Sequence, residues 1–166
     1  MKKWVSLLLV CLAVISMAGC GNNDTAPDES DIAYNGAQLT NKIISEFEGY
    51  SSFIIYMNHF APFEWDQMIA FAPGTDLATI HQAVGYEWEG ITESAPEGTL
   101  QVVFLKSGQV VCYLYGTPSE LKFDMQITIP DGQSYIVIPC DDNAEFEGVG
   151  TSTGATKVVI TYPVVD

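Results

Sequence analysis

The chain has 166 residues, among them six lysines, no arginine and 21 acids, for a formal charge of −15 at pH 7. Nucleic acid or anionic lipid binding needs clustered cations that displace counterions from phosphate, so this acidic excess disfavours both. With 48% apolar and 11% aromatic residues, the chain is too rich in core-forming side chains for disorder over most of its length.

Lys2 and Lys3 precede an apolar run from Trp4 to Met17, broken only by Ser6 and Ser16, and small residues follow at Ala18 and Gly19. This is the layout of a secretory signal, too short and wrongly flanked for a stop-transfer helix. The ending Met17-Ala18-Gly19-Cys20 resembles the lipobox of bacterial lipoproteins. The resemblance implies a signal peptide over 1–19, diacylglycerol on the Cys20 thiol with palmitate-like acyl chains, and a protein lipid-anchored to the cell membrane on its extracytoplasmic face. Buried acyl chains contribute roughly 0.8 kcal/mol per methylene and can hold a protein at a bilayer without a spanning helix. An ordinary secretory signal or an uncleaved anchor is the alternative.

Loss of the leader leaves Lys42, Lys106, Lys122 and Lys157 against all 21 acids. Because these acids are spread along the chain, they read as a solvated, self-repelling surface, with a basic partner or divalent cations as the alternative. Residues 20–34, including the turn-forming and acidic stretch GNNDTAPDES, read as a flexible tether. Residues 35–166 have the size of a single domain.

From Asn35, a candidate cap, Leu39, Ile43 and Phe47 recur at helical spacing up to Gly49. Ser51 to Phe60 fits both periods and is read as helix. Trp65 to Phe71 suggests a strand ended by Pro73-Gly74, and Thr75 or Asp76 caps a second helix with Leu77, Ile80 and Val84 inward and Gly85 as terminator. Tyr86 to Gly98 reads as a long loop.

Leu100–Lys106 and Gln109–Tyr115 flank Ser107-Gly108 as a tight hairpin. Pairing Lys106 with Gln109 puts Phe104 opposite Val111, and both faces are apolar. The hairpin is therefore expected to be central and covered on each side. Phe123–Ile129 alternates as a half-solvated antiparallel strand, and Ser134–Ile138 supplies another. Asp141–Ala155 is Gly-rich and loop-like, and Val158–Val165 is an edge strand because of Pro163. The expected fold class is α+β, with N-terminal helices packed on a mainly antiparallel sheet of about five to six strands.

Cys11 leaves with the leader, so Cys112 and Cys140 are either a disulfide or two thiols acting as small hydrophobes. The histidines, His59 and His81, lack metal-binding spacing and would meet Glu64 or Asp66 only through folding. Asp141-Asp142-Asn143-Ala144-Glu145 lacks the alternation and glycine of a calcium loop. No metal, cofactor or catalytic residue is assigned. Phe63, Tyr86 and Trp88 are the candidate contact surface, whereas Trp65 reads as core.

The run WDQMIAFAPGT with its following helix resembles a segment of small uncharacterised lipoproteins of Gram-positive bacteria, which implies no activity. Pro73-Gly74-Thr75 and Gly85 give a looser likeness to the strand and helix units of envelope assembly lipoproteins and secreted inhibitor domains. The expectation is a non-enzymatic envelope binding module for a protein, peptide or small ligand. The alternative is a protective or inhibitory lipoprotein that masks a basic extracellular protein, with an enzyme ranked last.

Overall fold

The computed structural model describes residues 27–91, 93–151 and 154–163. The leader and Cys20 lie outside them. The first helix, α1 (Glu29–Phe47), begins six residues before Asn35, because the Asp28 carboxylate accepts the Ser30 and Asp31 N–H groups at 2.8 and 3.0 Å. Glu29 and Asp31 in its first turn complement the helix dipole. Residues 29–34, expected within the tether, are therefore helical. The buried stripe Ile32, Gly36, Leu39 and Ile43 faces the body. Gly36 permits that contact, since a Cβ there would sit 3.2 Å from the Tyr113 carbonyl oxygen.

The expected helix over Ser51–Phe60 divides into a strand, β1 (Phe53–Tyr56), and one turn of helix, α2 (Met57–Phe60). Phe53 and Ile55 turn inward and Ile54 and Tyr56 outward, so the period of two prevails until Met57. The expected strand and second helix follow as β2 (Gln67–Phe71) and α3 (Leu77–Val84), with Asp76 accepting the Thr79 N–H and Gly85 ending α3 at φ 96°. Next come β3 (Leu100–Lys106) and β4 (Gln109–Gly116). Ser107 and Gly108 both have positive φ, 50° and 75°, as a type I′ hairpin turn requires.

The register begins as expected, with Lys106 opposite Gln109 and Leu105 opposite Val110, then slips. Phe104 pairs with Cys112 rather than Val111, which becomes the extra residue of a β-bulge. After α4 (Pro118–Leu121), β5 (Phe123–Ile127), β6 (Tyr135–Pro139), β7 (Glu145–Gly150) and β8 (Val158–Tyr162) complete the described chain.

In place of one sheet of five to six strands there are two of four. The inner sheet, in order β4-β3-β2-β6, is antiparallel throughout. The outer sheet, in order β1-β7-β8-β5, has one parallel pair, β5 with β8, which corrects the antiparallel expectation for Phe123–Ile129. β8 is interior rather than an edge, because the strand ends at Tyr162 and Pro163 follows it. β7 corrects the expected loop: Phe146 and Gly148 face inward, and Gly148 makes room for the Phe53 ring. Gly150 lies against the Phe47 carbonyl at the end of α1.

One core joins α1 through Leu39 and Ile43 to both sheets, with Phe104, Met68, Phe123, Phe146 and Ile160 at its centre. The opposite face of the inner sheet, including Ile69, Val103 and Leu105, is covered by α3 and the 86–98 loop. The hairpin is thus covered on both sides as its apolar faces require, although β4 is an edge strand flanked by α1.

Candidate functional site

The three aromatics expected at a contact surface are divided by the inner sheet. Trp88 packs edge-on against Tyr113 at 5.4 Å, and the Tyr86 hydroxyl oxygen accepts the Val110 N–H at 3.1 Å, both on the α3 side. Phe63 lies on the other side, edge-on to Phe104 at 5.4 Å. All three are half-buried.

Cys112 and Cys140 are both free. Of the two alternatives the disulfide is not formed, because β4 and β6, which place them, are opposite edges of the inner sheet, three strand spacings of about 4.8 Å apart. Burial pushes the Cys112 thiol well above its ordinary value, and burial followed by the Asp66 charge raises that of Cys140. Neither is an activated nucleophile. His59 lies 4.0 Å from exposed Asp142, Glu64 and Asp66 pair with Lys106 at 3.7 and 2.9 Å, and His81 belongs to α3. Among the described residues, no three of His, Cys, Asp and Glu converge to hold a metal ion.

The residues that do gather at a free surface lie on the outward face of the outer sheet. β1 turns Ile54 and Tyr56 outward, 50% and 46% exposed. Across from them, β7 presents Glu147 opposite Ile54 and Glu145 opposite Tyr56. Val149, 47% exposed, is the next outward residue of β7, and its neighbour Gly150 donates its N–H to the carbonyl of Tyr50, itself 58% exposed. These four are among the six most exposed large hydrophobic side chains of the described residues, the others being Tyr34 and Val137. Val159 and Thr161 of β8, paired with Val149 and Glu147, continue the face.

Its electrostatics are one-sided. Glu145 and Glu147 have no ion-pair or hydrogen-bonding side-chain partner among the described residues. The nearby lysines are committed elsewhere. Lys157 binds Glu48 at 3.0 Å, and Lys42 donates to the Phe60 carbonyl at 2.8 Å while lying over the Phe60 ring. Aromatic and aliphatic side chains beside unneutralised carboxylates make a surface suited to apolar contact with a partner that also brings positive charge.

Sequence reasoning missed this face because Ser51–Phe60 carries two periods and Gly148 and Gly150 read as loop formers. The alternation Glu145, Phe146, Glu147, Gly148, Val149 was the available signal.

A concavity of about 320 Å³ lies where β5 meets the ends of β2 and β3. Phe71, Leu100, Met125 and Ile127 line it with Asp124, whose carboxylate accepts from the Gln126 amide at 2.7 Å. Its size falls at the low end of small-ligand sites.

No protein-family model, no curated protein and no solved structure matches this chain.

Proposed function

We propose that the chain is an envelope lipoprotein, held through Cys20 on the extracytoplasmic face of the cell membrane, whose folded domain is a non-enzymatic binding module. Its contact surface is the outward face of the outer sheet, and its partner is a protein. One observation carries this reading: Ile54, Tyr56 and Val149 are exposed together beside Glu145 and Glu147, which have no side-chain partner among the described residues. Exposed apolar side chains gathered on one sheet face are a feature of interaction sites, and tyrosine is enriched in interface hot spots.

The two glutamates and the overall charge of −15 also support the second reading, a protective or inhibitory lipoprotein that masks a basic extracellular protein. The test is crosslinking of the full chain in envelope extract at low and high salt. A specific partner lost with Tyr56→Ser and retained with Trp88→Ala supports the binding face, and salt-sensitive capture of a cationic protein favours the masking role. Equal capture by the Tyr56→Ser variant would rule this face out. Cys20→Ser should abolish metabolic lipid labelling, and persistent labelling would rule out the anchor.

A further inference from the structure

We infer that β1 is a docking edge for one extended, cationic strand of the partner, which joins the outer sheet as its fifth strand. This rests on the reading of the outward face as a binding surface. β1 is an edge, with β7 on one side and no described strand on the other.

The hydrogen-bond parity is fixed at its end. The Met57 N–H bonds the Ala144 carbonyl at 2.8 Å, and Ile55 faces Phe146. In an antiparallel ladder alternate residues bond the same neighbour, so Phe53 and Ile55 direct their main-chain groups to β7. The Ile54 N–H, the Ile54 carbonyl and the Tyr56 N–H are directed away, while the Tyr56 carbonyl opens α2 as its N-cap residue. Donors and an acceptor at two-residue spacing match another strand's main chain.

Sheet edges are commonly blocked by lysine or proline. Edge strand β6 carries Pro139, whose carbonyl is also taken by the Asp141 N–H. β1, with the sequence FIIY, has neither.

Charge selects the occupant. Outward side chains of an added strand would flank Ile54 and Tyr56, with Glu147 and Glu145 directly behind. Lysine or arginine there would lay its stem over Ile54 and Tyr56, stack its cation on the Tyr56 ring and reach the glutamates. A second copy of this chain would bring the same glutamates and a like charge of −15.

The experiment uses the full chain and a short synthetic peptide of alternating lysine and valine, followed by fluorescence anisotropy. The peptide should bind, more weakly as salt rises, and a glutamate-valine counterpart should not. N-methylation of every second residue should weaken binding at least about tenfold in one of the two possible phases and leave it unchanged in the other. Ile54→Pro, which removes an N–H the fold does not use, should produce a similar loss.

If Glu145→Gln with Glu147→Gln abolishes binding but neither N-methylation phase nor Ile54→Pro weakens it, strand addition is overturned and the binding face survives. Absence of any peptide binding overturns the inference, while the partner lost with Tyr56→Ser decides the underlying reading separately. Sedimentation as a dimer that Ile54→Pro dissociates would assign the edge to a second copy and overturn the cationic partner.

Discussion

The Asn35 side-chain amide donates to the main-chain carbonyl of Val111 at 2.8 Å, joining α1 to the residue that the β4 bulge leaves unpaired. The Tyr86 hydroxyl oxygen meets the neighbouring Val110 N–H at 3.1 Å. The irregularity is therefore satisfied by side chains from two separate elements. Asn35→Ala sets two effects against each other. Helix propensity alone favours alanine by up to ~0.7 kcal/mol, whereas a partly buried carbonyl left without its donor costs about 1–3 kcal/mol. Asn35→Ala should therefore lower the urea midpoint, while Asn41→Ala on the exposed part of the same helix should leave it unchanged or raise it. A stabilised Asn35→Ala variant would show that the bulge contact contributes nothing.

Asn35 also shows where sequence patterns stop being informative. As an isolated residue beside an apolar period it reads as a cap, but Asp28 holds that position and leaves Asn35 inside the helix. Local chemistry was legible wherever it acts within a few residues: Asp76 and Gly85 bounding α3, the Ser107-Gly108 turn and the alternation from Phe123 are all in place. What was not legible depended on residues far apart in the chain. The glycines of β7 look like loop formers until Phe53 and the end of α1 fill the space above them. Pro163 suggests an edge strand until the strand is seen to end one residue earlier. The division into two sheets, and with it the exposed face around Ile54 and Glu147, follows from these distant contacts.

Gln101, 1% exposed, is held by three bonds that secure the 86–98 loop over the inner sheet. Its carbonyl oxygen accepts the Ala95 N–H at 3.2 Å, and its amide donates to the Glu93 carbonyl and the Tyr113 hydroxyl oxygen at 3.1 Å each. Burial raises the Tyr113 phenol to about 12, against the opposing hydrogen bond from Gln101. Tyr113 therefore stays neutral at physiological pH and its ring supports Trp88. Gln101→Leu keeps the volume but strands a loop donor and acceptor, for an expected loss of about 2 kcal/mol. Amide exchange in residues 86–98 should quicken well before global unfolding. Tyr113→Phe, which removes one partner and keeps the ring, should cost less. Unchanged exchange in the Gln101→Leu loop would show that apolar packing of Trp88 and Ile91 alone fixes the segment.

Asp66 ties the start of β2 to the hairpin turn. Its carboxylate accepts the Ser107 N–H at 2.5 Å and the Lys106 ammonium at 2.9 Å. The Ser107 N–H first, and Lys106 second, hold it below the ordinary aspartate value of 3.8. A depressed carboxylate contributes stability that is fully present above its unfolded value and is lost as pH falls through its lower folded value. Wild type should exceed Asp66→Asn in urea midpoint near neutral pH, with the gap narrowing below the ordinary value and closing once Asp66 is protonated. Asp28, Asp76 and Glu120 are depressed too, each chiefly by hydrogen bonds at a helix start, so Asp66→Asn should remain acid-labile. Lys106 works in the opposite sense. The Asp66 pair holds it above 10.5, so its contribution is present at neutral pH and fades as pH rises through the raised value. The Asp66→Asn gap should therefore shrink at both ends of the pH range, and a gap constant into acid would show that Asp66 acts through turn geometry rather than charge.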